Sequence, residues 1–337
     1  MKRAGNLFDN VIAFDNLLRA TKQAARGKKE QPRVAHFLFH MENELFQLQN
    51  ELTQASWQPS NFRVFEIREP KPRRICAADF RDRVVHHALC NVLKPVFDKR
   101  LIFDTWACRT GKGSHKAVER AQHYCRRYAY FLKCDVRRYF DSVDHQVLKQ
   151  LLRRMIKDQR LLSVIDQIID HPLLDTLQGK GIPIGNLTSQ YFANMYLGEL
   201  DHELKDRQGI KAYMRYMDDM LIFANTKQEL HSILNSIEVF LKQKLKLSLK
   251  HSATQIAPVS EGVAFLGFRV FPGLIRLNPQ SLRRFKRRLY LQELAYQSGK
   301  SDVEYLTASV QSMIAHMRHA NTHRLRQSLL SSSFAIG

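Results

Sequence analysis

Three aspartates define the chemistry open to this sequence. Asp218 and Asp219 stand side by side in IKAYMRYMDDMLIFA, where β-rich apolar residues flank the acidic pair. That pattern predicts a tight hairpin with half-buried strands and both carboxylates at its tip. Asp135 ends a short, almost continuously apolar run, AYFLKCDV, suited to the centre of a sheet. Two carboxylates at a hairpin tip with a third at the end of a separate strand suit two-metal phosphoryl transfer. Mg²⁺ prefers oxygen ligands, and paired ions about 3.5–4 Å apart stabilise attacking and leaving oxygens together. Because successive strand side chains alternate faces, the two adjacent aspartates contribute unequally. Asp135 and Asp218 are expected to bridge both ions, with Asp219 in a supporting role. Taken alone, an Asp-Asp pair is weak evidence, more commonly explained as solvated turn residues.

The elements that must position these groups follow from periodicity. Residues 1–60 show helical apolar spacing in LFDNVIAFDNLLRATKQAA and VAHFLFHMENELFQLQNELTQ, with a basic break at Arg26-Gly27-Lys28-Lys29. NFRVFEIREPKPRRIC (61–76) alternates around a Pro-Lys-Pro break, predicting two short strands joined by an exposed basic turn. AADFRDRVVHHALCNVLKPVF then predicts a helix ending at Pro95. RTGKGS (109–114) fails as a phosphate loop, because Trp106 stands where the first glycine is needed. It reads instead as a Gly-rich turn capped by Ser114 ahead of a helix. Residues 145–178 read as helical, GIPIGNLTSQ (181–190) as a Gly/Pro-marked turn, and YFANMYLGELDHELK as a further helix. After the acidic hairpin come a helix over 227–246, a strand pair (FLGFRV and LIRL) around Pro272-Gly273, and a basic helical tail from Pro279.

Charge points to the partner. Among 337 residues, 53 Lys+Arg stand against 32 Asp+Glu, a net +21 spread along the whole chain, which favours nucleic acid over a membrane surface. The composition, 44% hydrophobic and 25% charged, is that of a globular protein rather than a disordered one. No secretory h-region opens the sequence and no run approaches the ~20 apolar residues of a spanning helix, so the expectation is a cytoplasmic chain without membrane association. Five cysteines without CxxC spacing are expected to be reduced thiols, neither disulfides nor zinc ligands. Fourteen histidines, including adjacent His86-His87 and no HExxH, read as surface or packing residues.

Four segments in order resemble the reverse transcriptases over nearly the whole chain. Tyr216-Met217-Asp218-Asp219 matches the YxDD box, and KCDVRRYF (133–140) matches the palm aspartate with its aromatic residue. GIPIGNLTSQ matches the loop contacting nucleotide and template, and FLGFRV (265–270) the primer-grip strand. The resemblance implies an α/β (α+β) right-hand polymerase. Its parts would be a helical N-terminal extension (1–60), fingers (61–130 with part of 145–180), a palm (131–277) and a basic helical thumb (278–337). It implies RNA-directed DNA polymerase activity with two Mg²⁺ per active site, held by Asp135, Val136, Asp218 and Asp219, and with RNA template, DNA product and dNTPs as partners. Lys71 and Arg74 would clamp the triphosphate, Phe140 would act as steric gate against a ribose 2′-OH, and Ile184 and Gly185 would contact the nucleotide. Nucleic acid would be met by Ser189, Gln190, Tyr216, Met217, Phe265, Leu266, Gly267, and by Arg284 and Arg287 of the thumb. Arg109 falls in a second fingers motif, with template backbone and triphosphate both open as its contact.

Most members carry Gln-Gly and Ser-Pro at the ends of the nucleotide loop, where this chain has Ile184-Gly185 and Ser189-Gln190. These departures, with FRDRVVHHALCNV and HMRHANTHRLRQSL, resemble the reverse transcriptases of diversity-generating retroelements. That resemblance implies an error-prone enzyme, a dedicated noncoding template RNA and an accessory protein subunit. Phage-defence reverse transcriptases share the core, so antiphage defence is an alternative role. A non-catalytic RNA-binding scaffold is the alternative of another class, opposed by the three aspartates and the aromatic gate. The lysine that often serves as general acid has no match in LKLSLKHSATQI, which leaves Lys250, His251 or water for that step.

Overall fold

The computed structural model describes residues 3–68, 72–173 and 177–333. In chain order the elements are helices α1 (Phe8–Ile12), α2 (Phe14–Ala24), α3 (Pro32–Phe39) and α4 (Met41–Thr53), strands β1 (Arg63–Ile67) and β2 (Arg73–Ala77), α5 (Phe80–Asp98), α6 (Ser114–Cys125) and β3 (Tyr130–Cys134). Helices α7 (Tyr139–Ser142), α8 (His145–Met155), α9 (Gln159–Asp170) and α10 (Leu187–His202) follow. Then come β4 (Tyr213–Tyr216), β5 (Asp219–Ala224), α11 (Lys227–Lys244), β6 (Gln255–Pro258), β7 (Val263–Phe265), β8 (Phe268–Val270) and β9 (Ile275–Leu277). The chain closes on α12 (Pro279–Gln297), α13 (Val303–Met317) and α14 (His323–Ser333). Two compact units divide it: Met1–Arg109 with Asp135–Ile210 and Ser236–Lys250, and Thr110–Cys134 with Lys211–Asn235 and His251–Gly337.

In the first unit, α5 is buried on more than one stripe, through Val84, Val85, Ala88, Leu89, Leu93 and Phe97. Such a helix must be surrounded, and α1, α2, α3 and α10 pack on it. Buried Asn16 of α2 donates to the Ala88 carbonyl at 3.1 Å. The helix continues through Pro95 to Asp98, beyond its expected end. In the last turn the missing proline N–H removes a single intrahelical bond, and burial of Phe97 holds the turn in place. The region 145–178 is shorter in helix than its pattern suggested: α8 and α9 are separate, and α9 stops at Asp170 because Pro172 disfavours helical backbone at His171. Asp158 caps α9 and also accepts from the Leu7 and Phe8 N–H groups at 2.9 Å each, docking the N-terminal segment. Strands β1 and β2 pair antiparallel as expected, Arg63↔Ala77 to Ile67↔Arg73.

The second unit holds an antiparallel sheet in the order β4-β5-β3-β6. Its acidic hairpin is not half-buried as expected: Tyr213–Arg215 and Met220–Ala224 are buried. Helix α6 covers one face, stacking Tyr124 on Phe223 with ring centroids 5.4 Å apart. That helix begins at Ser114, so Ser114 is not its cap; Gly113, at φ 116, takes the cap position without a side-chain bond. FLGFRV is not one strand but the β7–β8 hairpin of a three-stranded meander completed by β9. The α12–α14 helices close over a small core of Leu289, Leu306, Val310 and Met313. The five cysteines form no disulfide. Among the described residues no helix is long and apolar enough to cross a membrane.

Candidate active site

The acidic hairpin turns in two residues. Tyr216 pairs with Asp219, leaving Met217 and Asp218 as the loop. Met217 takes φ 57 at the first loop position, a place that favours glycine in hairpin turns. Fully buried Arg215 braces the strained turn by donating from Nη1 to the Met217 carbonyl at 2.9 Å. Asp218 is half-buried at the tip. Asp219, at the start of β5, lies 3.2 Å from the Lys133 ammonium, which also donates to the Ala264 carbonyl at 2.7 Å. The two neighbours are therefore unlike: one carboxylate is matched by a lysine on the adjacent strand and the other stands on the turn.

Strand β3 stops at Cys134, one residue short of its expected end, and Asp135 follows directly in the chain. Cys134 pairs with Met220, the residue after Asp219. The Asp135 carbonyl accepts from Lys250 N–H at 2.8 Å, and Arg137 N–H donates to Ser248 at 2.9 Å. These bonds flank the Val136–Leu249 bridge, so the N–H and C=O of Val136 point away from it. Among the described residues no group of three or more His, Cys, Asp or Glu side chains is placed to hold a metal. Asp218 and Asp219 in the second unit, and Asp135 with the Val136 carbonyl in the first, each offer oxygens of the hard kind that Mg²⁺ takes.

The nucleotide-loop residues come together in the first unit. Cys76 N–H donates to the Ile184 carbonyl and Ile182 N–H to the Phe140 carbonyl, both at 2.9 Å. Ala78 N–H donates to the Asn186 side chain at 3.1 Å. These bonds fasten β2, which carries Arg74, and α7, which carries half-buried Phe140, to Ile184-Gly185. A Cβ at Gly185 would meet Ile75 Cγ2 at 2.7 Å, so the close approach requires glycine. Lys71 lies outside the described residues. Tyr139 is buried and its hydroxyl donates to the Ala193 carbonyl, which makes it a packing residue.

Other expected contacts sit in varied surroundings. Helix α10 starts at Leu187 rather than Tyr191, which places Ser189, buried, and Gln190, exposed, in its first turn. Arg109 donates to the Asp98 carboxylate and to the Ile102 and Thr105 carbonyls, so its guanidinium is occupied within the chain. Phe265 is buried, whereas Leu266 (φ 48) and Gly267 (φ 88) form a turn with both residues at positive φ. Asn278 N–H donates to the Gly267 carbonyl at 2.9 Å, fixing that turn to the start of α12, whose Arg284 and Arg287 are exposed.

Arg215 and Lys133 escaped the sequence reading. Each is a cation inside an otherwise apolar strand, and a buried charge needs a partner; that mismatch was the available signal. A third group is the ring cluster of His115, His316, His319 and Phe268, with His115 stacked on His319 at 3.4 Å. Burial, then the neighbouring cationic imidazoles, lowers the pKa of His115, and burial, His319 and Arg284 lower that of His316.

The profile of the reverse transcriptase (RNA-dependent DNA polymerase) family matches residues 67–270. Protein YkfC of Escherichia coli strain K12 is 26% identical over 270 residues, 67% of this chain and 71% of that protein. Group II intron-encoded protein LtrA of Lactococcus lactis subsp. cremoris is 21% identical over 266 residues, 59% of this chain but only 44% of LtrA. Among solved structures, an apo telomerase from Candida tropicalis, truncated of its C-terminal domain, superposes with TM-score 0.51 and 13% identity over 68% of this chain and 59% of that chain. At that identity the likeness concerns the fold, which is mixed α/β and consistent with the right-hand polymerase architecture.

Proposed function

The chain belongs to the reverse transcriptase (RNA-dependent DNA polymerase) family, and from that membership we propose that it copies a dedicated noncoding RNA into cDNA. The observation that carries the reading is the braced turn that lifts Asp218 out of a buried sheet, with Asp135 following the neighbouring strand. Asp135, Asp218 and the Val136 carbonyl would hold two Mg²⁺ ions, and the Lys133-matched Asp219 would take the lesser part. When bound, the ions supply neutralisation of charge that develops as a primer 3′-oxygen displaces pyrophosphate. Arg74 orients the triphosphate, Phe140 fills the space of a ribose 2′-OH, and Ile184 packs beside the nascent pair. Residues 61–130, with part of 145–180, serve as fingers, 131–277 as palm and 278–337 as thumb, with 1–60 as the N-terminal extension.

Ile184 cannot offer the amide hydrogen bonds of a glutamine, which supports low-fidelity copying of the diversity-generating kind, served by an accessory subunit. The decisive experiment sequences the RNA that copurifies with the protein and the DNA made when dNTPs and Mg²⁺ are added. Asp218→Ala should lose primer extension by several orders of magnitude while RNA binding survives. Near-wild-type extension by that variant would refute the assignment. A product without substitutions opposite template adenines would remove the diversity-generating role.

A further inference from the structure

A cavity of about 470 Å³ opens in the first unit between α8, α9 and the loop before β1, with Pro59, Arg153, Asp166, Gln167, Asp170 and His171 in its lining. It shares no lining residue with β2, α7 or the nucleotide loop. Its acids are already matched: Arg153 holds Asp166, and Lys149 holds Asp170. Buried Asp82 fixes the loop by accepting Ser60 N–H at 2.8 Å. Burial lowers the pKa of His171 more than Asp82 raises it, so the ring is neutral, and it meets Phe62 edge-on with centroids 4.5 Å apart. A fixed wall of this size and balance suits an uncharged planar heterocycle. Two acceptors on lining side chains are unanswered, because Asp166 Oδ1 and Gln167 Oε1 are buried without a hydrogen-bond partner. Buried polar atoms are nearly always paired, so both call for donors that a ligand would bring.

A second hollow shares Arg153 with the first. It is lined by Arg3, Gln150, Arg153 and Arg154, without an acid. Arg3 is brought there by the N-terminal segment, where Ala4 N–H donates to the Met155 carbonyl and Lys157 N–H to the Ala4 carbonyl, both at 2.8 Å. Arg153 gives Nη2 to Asp166 and Arg154 gives Nη1 to Glu199 at 3.4 Å, and each guanidinium has five N–H donors. Three arginines around an open hollow favour a phosphate. The neighbouring acceptors narrow the base. Guanine carries two adjacent donors on one edge, N1–H and the N2 amino group, whereas adenine and cytosine offer an amino group beside a ring acceptor and uracil only N3–H. We propose that the two hollows together bind a guanine nucleotide, its base against Asp166 and Gln167 and its phosphate against Arg3, Arg153 and Arg154. The site is separate from the polymerase centre and does not depend on that reading. The same chemistry is presented by a free nucleotide and by an unpaired guanosine of a single-stranded RNA.

The test is calorimetric titration of the full chain with GMP, IMP and AMP. IMP lacks the N2 amino group and AMP also has an acceptor at N1, so affinity should fall about tenfold at each step. Gln167→Met removes one acceptor at nearly constant length and should weaken GMP about tenfold, with the dNTP KM of primer extension unchanged. Arg3 is exposed. Arg3→Ala should therefore leave folding intact and weaken GMP about tenfold but guanosine not at all, which reads the phosphate hollow even where a Gln167 variant fails to fold. Binding of the RNA oligomers UUUUGUUUU and all-uridine of equal length separates the two sources. A preference for the guanosine oligomer that Gln167→Met abolishes supports the site as one for RNA, and GMP binding without that preference supports it as one for a free nucleotide. Equal affinities for GMP and AMP with no oligomer preference, or wild-type GMP affinity in both variants, would overturn the proposal.

Discussion

Gly185→Ala tests how the nucleotide loop positions the triphosphate clamp. At φ +118 an alanine is strained, and its Cβ would meet Ile75 Cγ2 at 2.7 Å. Backbone strain of this type costs about 1–3 kcal/mol and overpacking a fixed wall adds about 1–3 kcal/mol, so the variant should lose about 2–6 kcal/mol of stability. Neither wall can retreat independently, because Cys76 N–H is bonded to the Ile184 carbonyl and Ile75 lies between Arg74 and Cys76. The strain therefore passes to Arg74. In primer extension the dNTP KM should rise about tenfold, the equivalent of ~1.4 kcal/mol, with a smaller change in kcat. Ile75→Ala removes the opposing methyl, so Gly185→Ala/Ile75→Ala should recover the overpacking part but not the backbone strain. Urea unfolding and steady-state extension on the same preparations read both quantities. A Gly185→Ala protein with wild-type stability and KM, or a double variant that recovers nothing, would refute the reasoning.

Lys133→Met removes the partner of Asp219 and should cost about 1–3 kcal/mol and reduce extension, with Lys133→Arg restoring both; thermal melting and a rate assay check it. Phe140→Ala should shift ribo-against-deoxy selectivity by roughly a hundredfold in kcat/KM, and an unchanged ratio would make Phe140 a packing residue. If about six phosphates are neutralised, log K against log salt should fall with slope near −4 on single-stranded RNA and −5 on duplex, and replacing Arg284 and Arg287 together should flatten it. Stability should fall in acid. Burial holds His86 down to about 3; burial raises Asp144 and Asp158, but Lys246 with Val147 N–H, and the Phe8, Leu7 and Leu161 N–H groups, lower them overall. Below about pH 6 the unfolded His86 binds a proton that the folded one refuses, costing up to ~1.4 kcal/mol per pH unit. The depressed carboxylates stabilise fully above their unfolded pKa, near 4, and lose that contribution as pH falls from there through their lower folded values. Asp158→Asn should flatten the lower part of a melting-temperature profile.

The strands and long helices were legible because their apolar spacing is set by the faces they bury. The hairpin around Asp218-Asp219 and the strand before Asp135 stand within a residue of their expected places. Errors gathered at boundaries decided by single side chains or tertiary packing. Pro95 ends no helix because one lost bond near a terminus is outweighed by burial of Phe97, whereas Pro172 acts on the residue before it. FLGFRV looked like one strand because Leu266 is apolar; its φ of 48 was not readable from its type.

That last difficulty is general across the site. Arg138, Met217, Lys246 and Leu266 all take positive φ without being glycine. Each sits in a segment read for function: after the palm aspartate, before the tip aspartate, in the stretch that runs to Lys250, and in the primer-grip turn. Sequence rules assign such positions to glycine, so pattern reading fails where the backbone is strained. The strain, about 1–3 kcal/mol apiece, persists only if the surroundings over-determine the conformation. They do so visibly here. Arg215 holds the Met217 carbonyl, Asp144 holds the Lys246 ammonium, and Asn278 holds the Gly267 carbonyl that follows Leu266. A glycine at any of these positions would relax the backbone and delete a side chain. For Met217→Gly the expected result is therefore a hairpin that folds at least as well with a less constrained Asp218.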